Sequence, residues 1–283
     1  MKIAHIINPV LLDSKSDLHI AQPVTFSSML KAAEFARETV DVELFSTCYE
    51  EDLPIVPAEF TQTKLLPRSI LDVGTFKLQR KLPLLKDILQ NLFEASDADY
   101  LIYTNVDIAL MPHFYTSIAE LIKREKFDAI IVNRRTISYE YTDEKELSLM
   151  YMQAGKPHKG YDCFVFSREI YEKLDLGNIA IGVSFIGLVF MLNLYKLANN
   201  FCFLDEAHLT FHLGDDQAGK NPKYSDYLTH NENEAYACIS RIEEKYGKFD
   251  SSTPSWSYKA IRRVKNVIKS EKILMSRWIF RKI

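Results

Sequence analysis

Two polar side chains, Asn105 and Asp107, follow a run of bulky uncharged residues, Tyr-Leu-Ile-Tyr at 100–103. Such a run is typical of a strand buried on both faces of a parallel sheet. Residues two apart on an extended chain point to the same side, so both side chains should face one ligand at the carboxyl edge of the sheet. The alternative is a turn or a helix cap. Asp107 has no evident structural role, because the uncharged segment 108–111 runs directly into Pro112.

Three further positions carry residues that could do chemistry. Asp162 precedes an uninterrupted apolar strand and is either a functional carboxylate or a loop carboxylate. Arg134 ends another apolar strand, where it could bind an anionic donor or acceptor or serve as a surface ion-pair partner. His208 and His212 are four apart and keep one side in either a helix or a strand; such a pair is either structural or metal-binding.

The elements needed to position these residues follow an α/β order. Strands over 2–7 and 42–45, with a helix over 25–39 between them, open a nucleotide-binding half-sheet. Strand one ends at Asn8-Pro9 and leaves the Asn8 side chain at the sheet edge, while strand two ends at Ser46-Thr47. The later elements predicted are strands over 61–66, 100–103, 128–133, 163–166 and 201–204 and helices over 81–95, 112–125, 182–197 and 233–246. Residues 139–159 are predicted to form an excursion over the active face.

The segment Asp99-Tyr-Leu-Ile-Tyr-Thr-Asn-Val-Asp-Ile108 resembles the Asp-X-Asp segment of glycosyltransferases with the GT-A fold. The resemblance implies a mostly parallel central sheet flanked by helices, over residues 1–250. It also implies that Asp107 binds the diphosphate of a nucleotide-sugar through a divalent metal, Mn²⁺ or Mg²⁺. Asn105 replaces the first Asp of the motif; its amide oxygen can bind a hard cation or a ribose hydroxyl but brings no charge. Metal dependence is therefore an open point.

The resemblance implies roles for other residues as well. A basic residue before the helix that leads to the central strand often faces the nucleotide in this family, which points to Lys81. Asp162 would line the sugar and acceptor site as a general base, and His212 would be a second metal ligand beside Asp107. The residues predicted to bind the nucleotide-sugar are Asn8, Pro9, Thr47, Lys81, Asn105, Asp107 and Arg134.

The reaction implied is transfer of a sugar from a nucleotide-diphospho-sugar to an acceptor hydroxyl, on a saccharide or lipid-linked acceptor, in polysaccharide or glycolipid synthesis. A sugar nucleotidyltransferase shares the sheet but needs a glycine-rich basic loop after strand one, and Asn8-Pro-Val-Leu-Leu-Asp13 does not supply it. Dinucleotide and P-loop motifs are missing from the sequence too. The remaining alternative is a degenerate domain that binds a saccharide or a protein partner.

Composition supports one large α/β domain. The chain has 283 residues, of which 47% are hydrophobic. Four widely spaced cysteines show no metal-binding spacing, which indicates free thiols in a reducing compartment. The N-terminal apolar run is too short for a signal peptide, and residues 179–197 read as a buried helix rather than a membrane span. We therefore expect a cytoplasmic protein.

The charge distribution sets the C-terminal segment apart. Residues 257–283 hold nine Lys or Arg and one Glu, a net charge of +8, whereas the other 256 residues hold 26 basic and 37 acidic groups, a net charge of −11. A linker over 250–257 precedes it, and the segment predicts a basic amphipathic helix that binds the anionic inner face of a membrane peripherally. The alternative is a helix packed on the domain or on a second subunit. Nucleic acid is not expected as a partner, because no aromatic stacking module accompanies the charge.

Overall fold

The computed structural model describes residues 1–14, 16–138, 140–158, 160–214 and 222–250, together with Thr253 and Ile261. Apart from Ile261, the predicted amphipathic helix lies outside the described residues. Contacts between residues divide the chain into two units. The first unit comprises Met1–Arg68, Asp87–Leu174 and the described part of Leu197–Ala218. The second comprises Ser69–Lys86, Asp175–Lys196 and the described residues from 222 onward.

Short strands alternate with helices along the chain. The strands are β1 (Lys2–Ile7), β2 (Asp41–Ser46), β3 (Thr61–Gln62), β4 (Tyr100–Thr104), β5 (Ala109–Leu110), β6 (Ala129–Val132), β7 (Arg135–Ile137), β8 (Lys156–Pro157), β9 (Cys163–Ser167), β10 (Phe201–Leu204) and β11 (Thr210–Leu213). The helices are α1 (Leu18–Ala36), α2 (Leu85–Ala95), α3 (Phe114–Glu125), α4 (Leu147–Met150), α5 (Arg168–Tyr171), α6 (Ile186–Leu197) and α7 (Ser225–Tyr246). The order confirms the predicted mixed α/β class.

A seven-stranded sheet with the order β10-β6-β9-β4-β1-β2-β3 forms the centre of the first unit. β4 is its middle strand, parallel to β1 and antiparallel to β9. Because both faces are covered, Leu101 and Ile102 are fully buried, which explains the uncharged run in the sequence. Within this seven-stranded sheet, all strand pairs except those of β9 are parallel. The predicted, mostly parallel central sheet is therefore confirmed.

A four-stranded sheet, β5-β11-β7-β8, lies beside the central sheet in the same unit. Its first strand follows Asp107 directly and pairs antiparallel with β11, so that Ala109 lies opposite Phe211. β11 also pairs in parallel with β7, which follows Arg134. This second sheet therefore joins the segments after β4 and β6 to β11, a strand much further along the chain.

Two helix boundaries predicted from the sequence are wrong. α1 begins at Leu18 rather than near residue 25, although Pro23 in its second turn removes one backbone hydrogen bond. Buried packing of Met29 and Ala32 on the sheet compensates for that loss. α2 begins at Leu85, so Lys81 lies before the helix and not in its first turn. Pro83 accounts for this, because the residue before a proline avoids the helical conformation.

Other elements also differ in their boundaries or in extent. The third strand has only two residues, Thr61–Gln62, although the Thr63 amide still donates to the Ser46 carbonyl of β2. α7 begins at Ser225, eight residues before the predicted start, and α6 begins at Ile186. Residues 140–158 are an excursion as predicted, but they contain α4 and β8 rather than loop alone.

The second unit is held together around α7. The amide of buried Asn231 accepts from Ala180 N and donates to the Ala180 carbonyl. Arg241 binds both carboxylate oxygens of Asp175. Within the described ranges, every helix is too short or too polar to cross a lipid bilayer.

Candidate functional site

The segments that follow β4 and β6 meet the segment that precedes β9 at one edge of the central sheet. Cys163 is paired with both Thr104 of β4 and Val132 of β6. Asp162, one residue before β9, therefore lies next to the residues that follow those two strands. An antiparallel strand between parallel ones is what brings its leading residue to their carboxyl ends. Open α/β sheets bind ligands at this edge.

Asp107 and His212 meet at this edge through the pairing of β5 with β11. The Nε2 atom of His212 lies 3.2 Å from Oδ2 of Asp107. The Nδ1 atom of the same ring lies 2.8 Å from the carbonyl oxygen of Gly214. A carbonyl can only accept, so Nδ1 carries the hydrogen, and in a neutral ring the lone pair of Nε2 faces the carboxylate. Either a second ring proton or a cation has to lie between the two acceptors.

The chemistry of this pair fits a divalent metal. Both side chains are largely buried, and among the described residues Oδ1 of Asp107 has no hydrogen-bond partner. Two atoms 3.2 Å apart can both bind one cation at ~2.1 Å from each. No third His, Cys, Asp or Glu joins them in the part of the chain that the structure describes. Any remaining ligands would then be waters or substrate oxygens, as is usual for Mg²⁺.

The charge of Asp107 is stabilised by its neighbours. Burial by itself would raise the pKa of Asp107, but the hydrogen bond and charge of His212 and the charge of Arg134 lower it more. The net pKa therefore lies below the usual value for an aspartate. Asp107 is thus an ionised carboxylate at neutral pH, as a metal ligand has to be.

Asn105 is oriented by a buried tyrosine. The hydroxyl of Tyr103 donates to Oδ1 of Asn105 at 3.0 Å. Burial, together with the charges of Asp107 and Asp162, raises the pKa of Tyr103 far above its usual value, so the hydroxyl keeps its proton. An amide held by its oxygen in this way directs its NH₂ group away from Tyr103. Asn105 can then donate to a ligand, which an aspartate at this position could not do.

Asp162 and Arg134 form a second buried pair at the same edge. Arg134 Nη1 lies 3.6 Å from Asp162 Oδ1, and both side chains are about nine-tenths buried. Considering described residues only, Nε of Arg134 and Oδ2 of Asp162 have no hydrogen-bond partner. Burial raises the pKa of Asp162, and the charges of Arg134 and His158 offset this only in part. A carboxyl that holds its proton to higher pH is suited to proton transfer.

The predicted nucleotide-binding residues at the ends of β1 and β2 lie together. Asn8 Nδ2 donates to the carbonyl oxygen of Thr47 at 2.6 Å, and Asn8, Pro9 and Thr47 are all buried. The hydroxyl of Thr47 accepts from Asn91 and donates to the Lys64 carbonyl. Its side chain is therefore directed into the protein rather than toward the edge. Lys81 belongs to the second unit, where it is exposed, and its role stays a prediction.

The structure separates two pairs of like residues in the sequence. Arg135 donates to the carbonyls of Ala154, Gly155 and Glu206 and holds the excursion in place, whereas Arg134 faces Asp162. His208 lies in the turn before β11, and only His212 is placed on the strand beside Asp107. Arg134 and His212 are the members to which the resemblance pointed, and their roles stay predictions.

Sequence reasoning missed the residues that fix the loop between β1 and α1. The side chain of Gln22 accepts from Val10 N and donates to Val10 O, both at 2.9 Å. Asp52 accepts from Leu11 N at 2.7 Å. A buried glutamine inside a helix has no distinctive sequence signal, so only the fold identifies it. The sequence pattern likewise indicates Tyr103 only as a core residue of the strand, and its hydrogen bond to Asn105 is evident only in the structure.

Comparison with solved structures is consistent with this mixed α/β fold. Staphylococcus aureus TarS, residues 1–349 in complex with UDP-GlcNAc, matches with a TM-score of 0.50 and 10% sequence identity. The match covers 84% of this chain and 66% of that one. TarS is a GT-A-like nucleotide-sugar transferase. The chain has a GT-A fold. It spans just under two thirds of that TarS structure.

Two further matches have lower scores and add no independent argument. TarS in complex with UDP gives a TM-score of 0.46 at 10% identity, over 89% of this chain and 74% of that one. Mycobacterium tuberculosis glucosyl-3-phosphoglycerate synthase in complex with phosphoglyceric acid gives a TM-score of 0.45 at 13% sequence identity. That match covers 88% of this chain and 81% of that one. No protein-family model and no curated protein matches the sequence. At sequence identity this low, the structural similarity establishes the GT-A fold alone, and the roles of individual residues stay predictions.

Proposed function

We propose that this GT-A chain is a glycosyltransferase that moves a sugar from a nucleotide-diphospho-sugar to an acceptor hydroxyl. One observation carries the proposal. At the carboxyl end of the central strand, Asp107 has a buried oxygen without a described partner, and its other oxygen lies 3.2 Å from Nε2 of His212. A buried acceptor pair of this kind is costly unless a ligand or a proton completes it.

Asp107 and His212 would hold the divalent metal. When bound, Mn²⁺ or Mg²⁺ would neutralise the charge that develops on the departing diphosphate. Asn105, whose amide is held by Tyr103, would donate to an oxygen of the donor. Arg134 would add a cation at the same edge, since its charge already acts on both Asp107 and Asp162. The proposal requires nothing of Thr47 beyond supporting Asn8.

Asp162 would handle the acceptor proton. Its position before β9 places it at the ligand edge, and its raised pKa makes it a better base than an ordinary exposed aspartate once ionised. Arg134 would keep the carboxylate oriented toward the acceptor. An acceptor hydroxyl on a saccharide or a lipid-linked glycan fits this role.

The donor and the cellular location are the less specific parts of the proposal. TarS has been crystallised with UDP-GlcNAc, so uridine donors are the first to test here. The basic segment 257–283 would hold the protein at the anionic inner face of a membrane, where a lipid-linked acceptor would be met.

The decisive experiment incubates the full chain with a panel of nucleotide-diphospho-sugars and Mn²⁺ and measures release of the nucleoside diphosphate. We expect release with one donor or a few, its loss in Asp107→Ala, and no loss in Asp205→Ala. Asp205 is the matched control because it is an exposed carboxylate that follows another strand of the same sheet. No release and no donor binding across the panel would refute transfer and leave a degenerate GT-A domain.

A further inference from the structure

The Asp162 oxygen that faces away from Arg134 is closed off from solvent. Oδ2 is a buried atom and has no hydrogen-bond partner among the described residues, and the whole side chain is about nine-tenths buried. A base that takes up one proton in each catalytic cycle has to return it to water before the next cycle. A carboxyl buried in this way therefore needs a neighbouring group through which the proton can leave.

Four neighbouring side chains act on the Asp162 carboxyl through their charge. They are Arg134, His158, Asp107 and His212. The guanidinium of Arg134 stays protonated and accepts no proton. Asp107 and His212 are the proposed metal ligands, so their lone pairs would be engaged by the metal. His158 is the one of the four that is left to take up and release a proton near neutral pH.

The ring of His158 lies against Gly160, on the side that faces Asp162. A Cβ atom at Gly160 would lie 2.9 Å from Cδ2 and 3.1 Å from Nε2 of His158, which is too close for a side chain to fit. The same Cβ would lie 3.6 Å from Oδ2 of Asp162. Nε2 and Oδ2 therefore border one place, at a separation that one or two water molecules can bridge. The imidazole can lie there because Gly160 has no side chain.

The backbone of His158 is fixed by the segment that follows β6. Its N–H donates to the carbonyl oxygen of Arg134 at 3.1 Å, and Nδ2 of Asn133 donates to its carbonyl oxygen. β8, which ends one residue before His158, is paired with β7. His158 is only half-buried, whereas Asp162 is buried. The ring is thus held between the buried carboxyl and the solvent.

We propose that His158 relays a proton from Asp162 to solvent. In the glycosyl transfer proposed above, on which this relay rests, the O–H bond of the acceptor breaks and its proton passes to Oδ2 of Asp162. The proton then passes through bridging water to Nε2 of His158, and the imidazolium releases it to bulk water. Both side chains return to their starting states, and the carboxylate is ready for the next acceptor.

The test compares the first turnover with steady-state turnover of the full chain, measured as release of the nucleoside diphosphate from a donor that the parent uses. His158→Gln should lower the steady-state kcat on the order of 10-fold, which is less than the about 10²–10⁴-fold that a general base itself contributes. The first turnover and the binding of the nucleoside diphosphate should stay like those of the parent, because Asp162 can take up one proton without the relay. Imidazole added to the buffer should restore much of the lost kcat, which it would not do if His158 had a purely structural role.

Two further variants keep the result specific. His113→Gln changes an exposed histidine elsewhere in the first unit and should leave kcat unchanged. Gly160→Ala keeps the imidazole but adds a methyl group where the ring lies, so it should lower the steady-state kcat as well. Thermal melts show which variants are folded, and Gly160→Ala decides the question if His158→Gln does not fold.

The outcomes separate the relay from the transfer that it serves. A parent-like kcat in folded His158→Gln, or a loss that imidazole does not restore, overturns the relay and leaves glycosyl transfer standing. A parent-like kcat in Gly160→Ala overturns it equally if that variant has to decide. Failure of the parent to turn over any donor overturns glycosyl transfer and the relay together.

Discussion

The Nε2 atom of His212 lies 3.2 Å from Oδ2 of Asp107, although the two residues are 105 positions apart in the chain. The Gly214 carbonyl accepts from the Nδ1 side of the ring, so Nε2 is the ring nitrogen that faces the carboxylate. This is the proximity that two ligands of one metal require. The following predictions test that role and the roles of the neighbouring groups.

Asp107→Ala should remove metal-dependent binding of a nucleoside diphosphate. Loss of a supporting group near a metal typically costs 10–100-fold in affinity, and loss of a direct ligand should cost at least ~100-fold. Thermal stability should change little, because Arg134 keeps its buried partner Asp162. Calorimetric titration with and without Mn²⁺ measures the effect. Parent-like affinity in Mn²⁺ would remove Asp107 from the site.

His212→Ala and His208→Ala form a matched pair. Only His212 lies beside Asp107, so only its replacement should weaken metal-dependent nucleotide binding, by at least ~100-fold as for a direct ligand. His208 precedes the strand and should be silent in the same titration. Equal losses in the two variants would indicate a general effect on β11 rather than a ligand role for His212.

Asn105→Asp should tighten the binding of Mn²⁺. The variant adds a carboxylate beside Asp107, and added ligand charge raises the affinity of a hard cation, here on the order of ten-fold. Asn105→Ala removes the amide without adding charge and serves as the control. The Mn²⁺ concentration that gives half-maximal nucleotide binding is the measurement. Tightening in both variants would show that the charge is not the cause.

Asp162→Asn should lower turnover far more than donor binding, because the proposed base acts on the acceptor. In the parent, kcat should rise with pH as Asp162 loses its proton, and this limb should lie above the ordinary aspartate value of about 3.9, since burial raises the pKa of Asp162. The limb should vanish in the variant. A parent-like pH profile in Asp162→Asn would demote the residue to a loop carboxylate.

His5 should make the folded state sensitive to acid. It is buried between Tyr115 and Thr104, with its ring nitrogens 2.8 and 2.9 Å from the two hydroxyls. Burial lowers the pKa of His5 to about 3, whereas the unfolded value is about 6.5. The unfolded chain therefore binds one proton more between these values, and stability is present above pH ~6.5 and lost as the pH falls toward 3.

The corresponding measurement is the free energy of unfolding by denaturant between pH 4.5 and 7. A single proton gives a slope of about 1.4 kcal/mol per pH unit. This slope should be smaller by that amount in His5→Gln, which keeps a polar side chain but cannot titrate. Identical slopes in the parent and the variant would mean that His5 is protonated in the folded state.

Local sequence pattern is enough to locate the central strand and the polar residues that follow it. Four bulky uncharged residues in a row need burial on both faces, so β4 and the ligand edge at Asn105 and Asp107 could be located from local pattern alone. The same holds for β1, β2 and the mixed α/β order. Local signals could not place the start of α1 ahead of Pro23, because tertiary packing outweighs the cost of the proline.

The proximity of Asp107 to its neighbours depends on strand pairing. The resemblance pointed to His212, but the 3.2 Å contact follows from the pairing of β5 with β11, and the position of Asp162 follows from the antiparallel insertion of β9 between β4 and β6. Burial and neighbouring charges then shift the pKa values of Asp107 and Asp162 in opposite directions. Contacts between residues that are distant in the chain depend on the whole fold, because no local pattern encodes which strands pair.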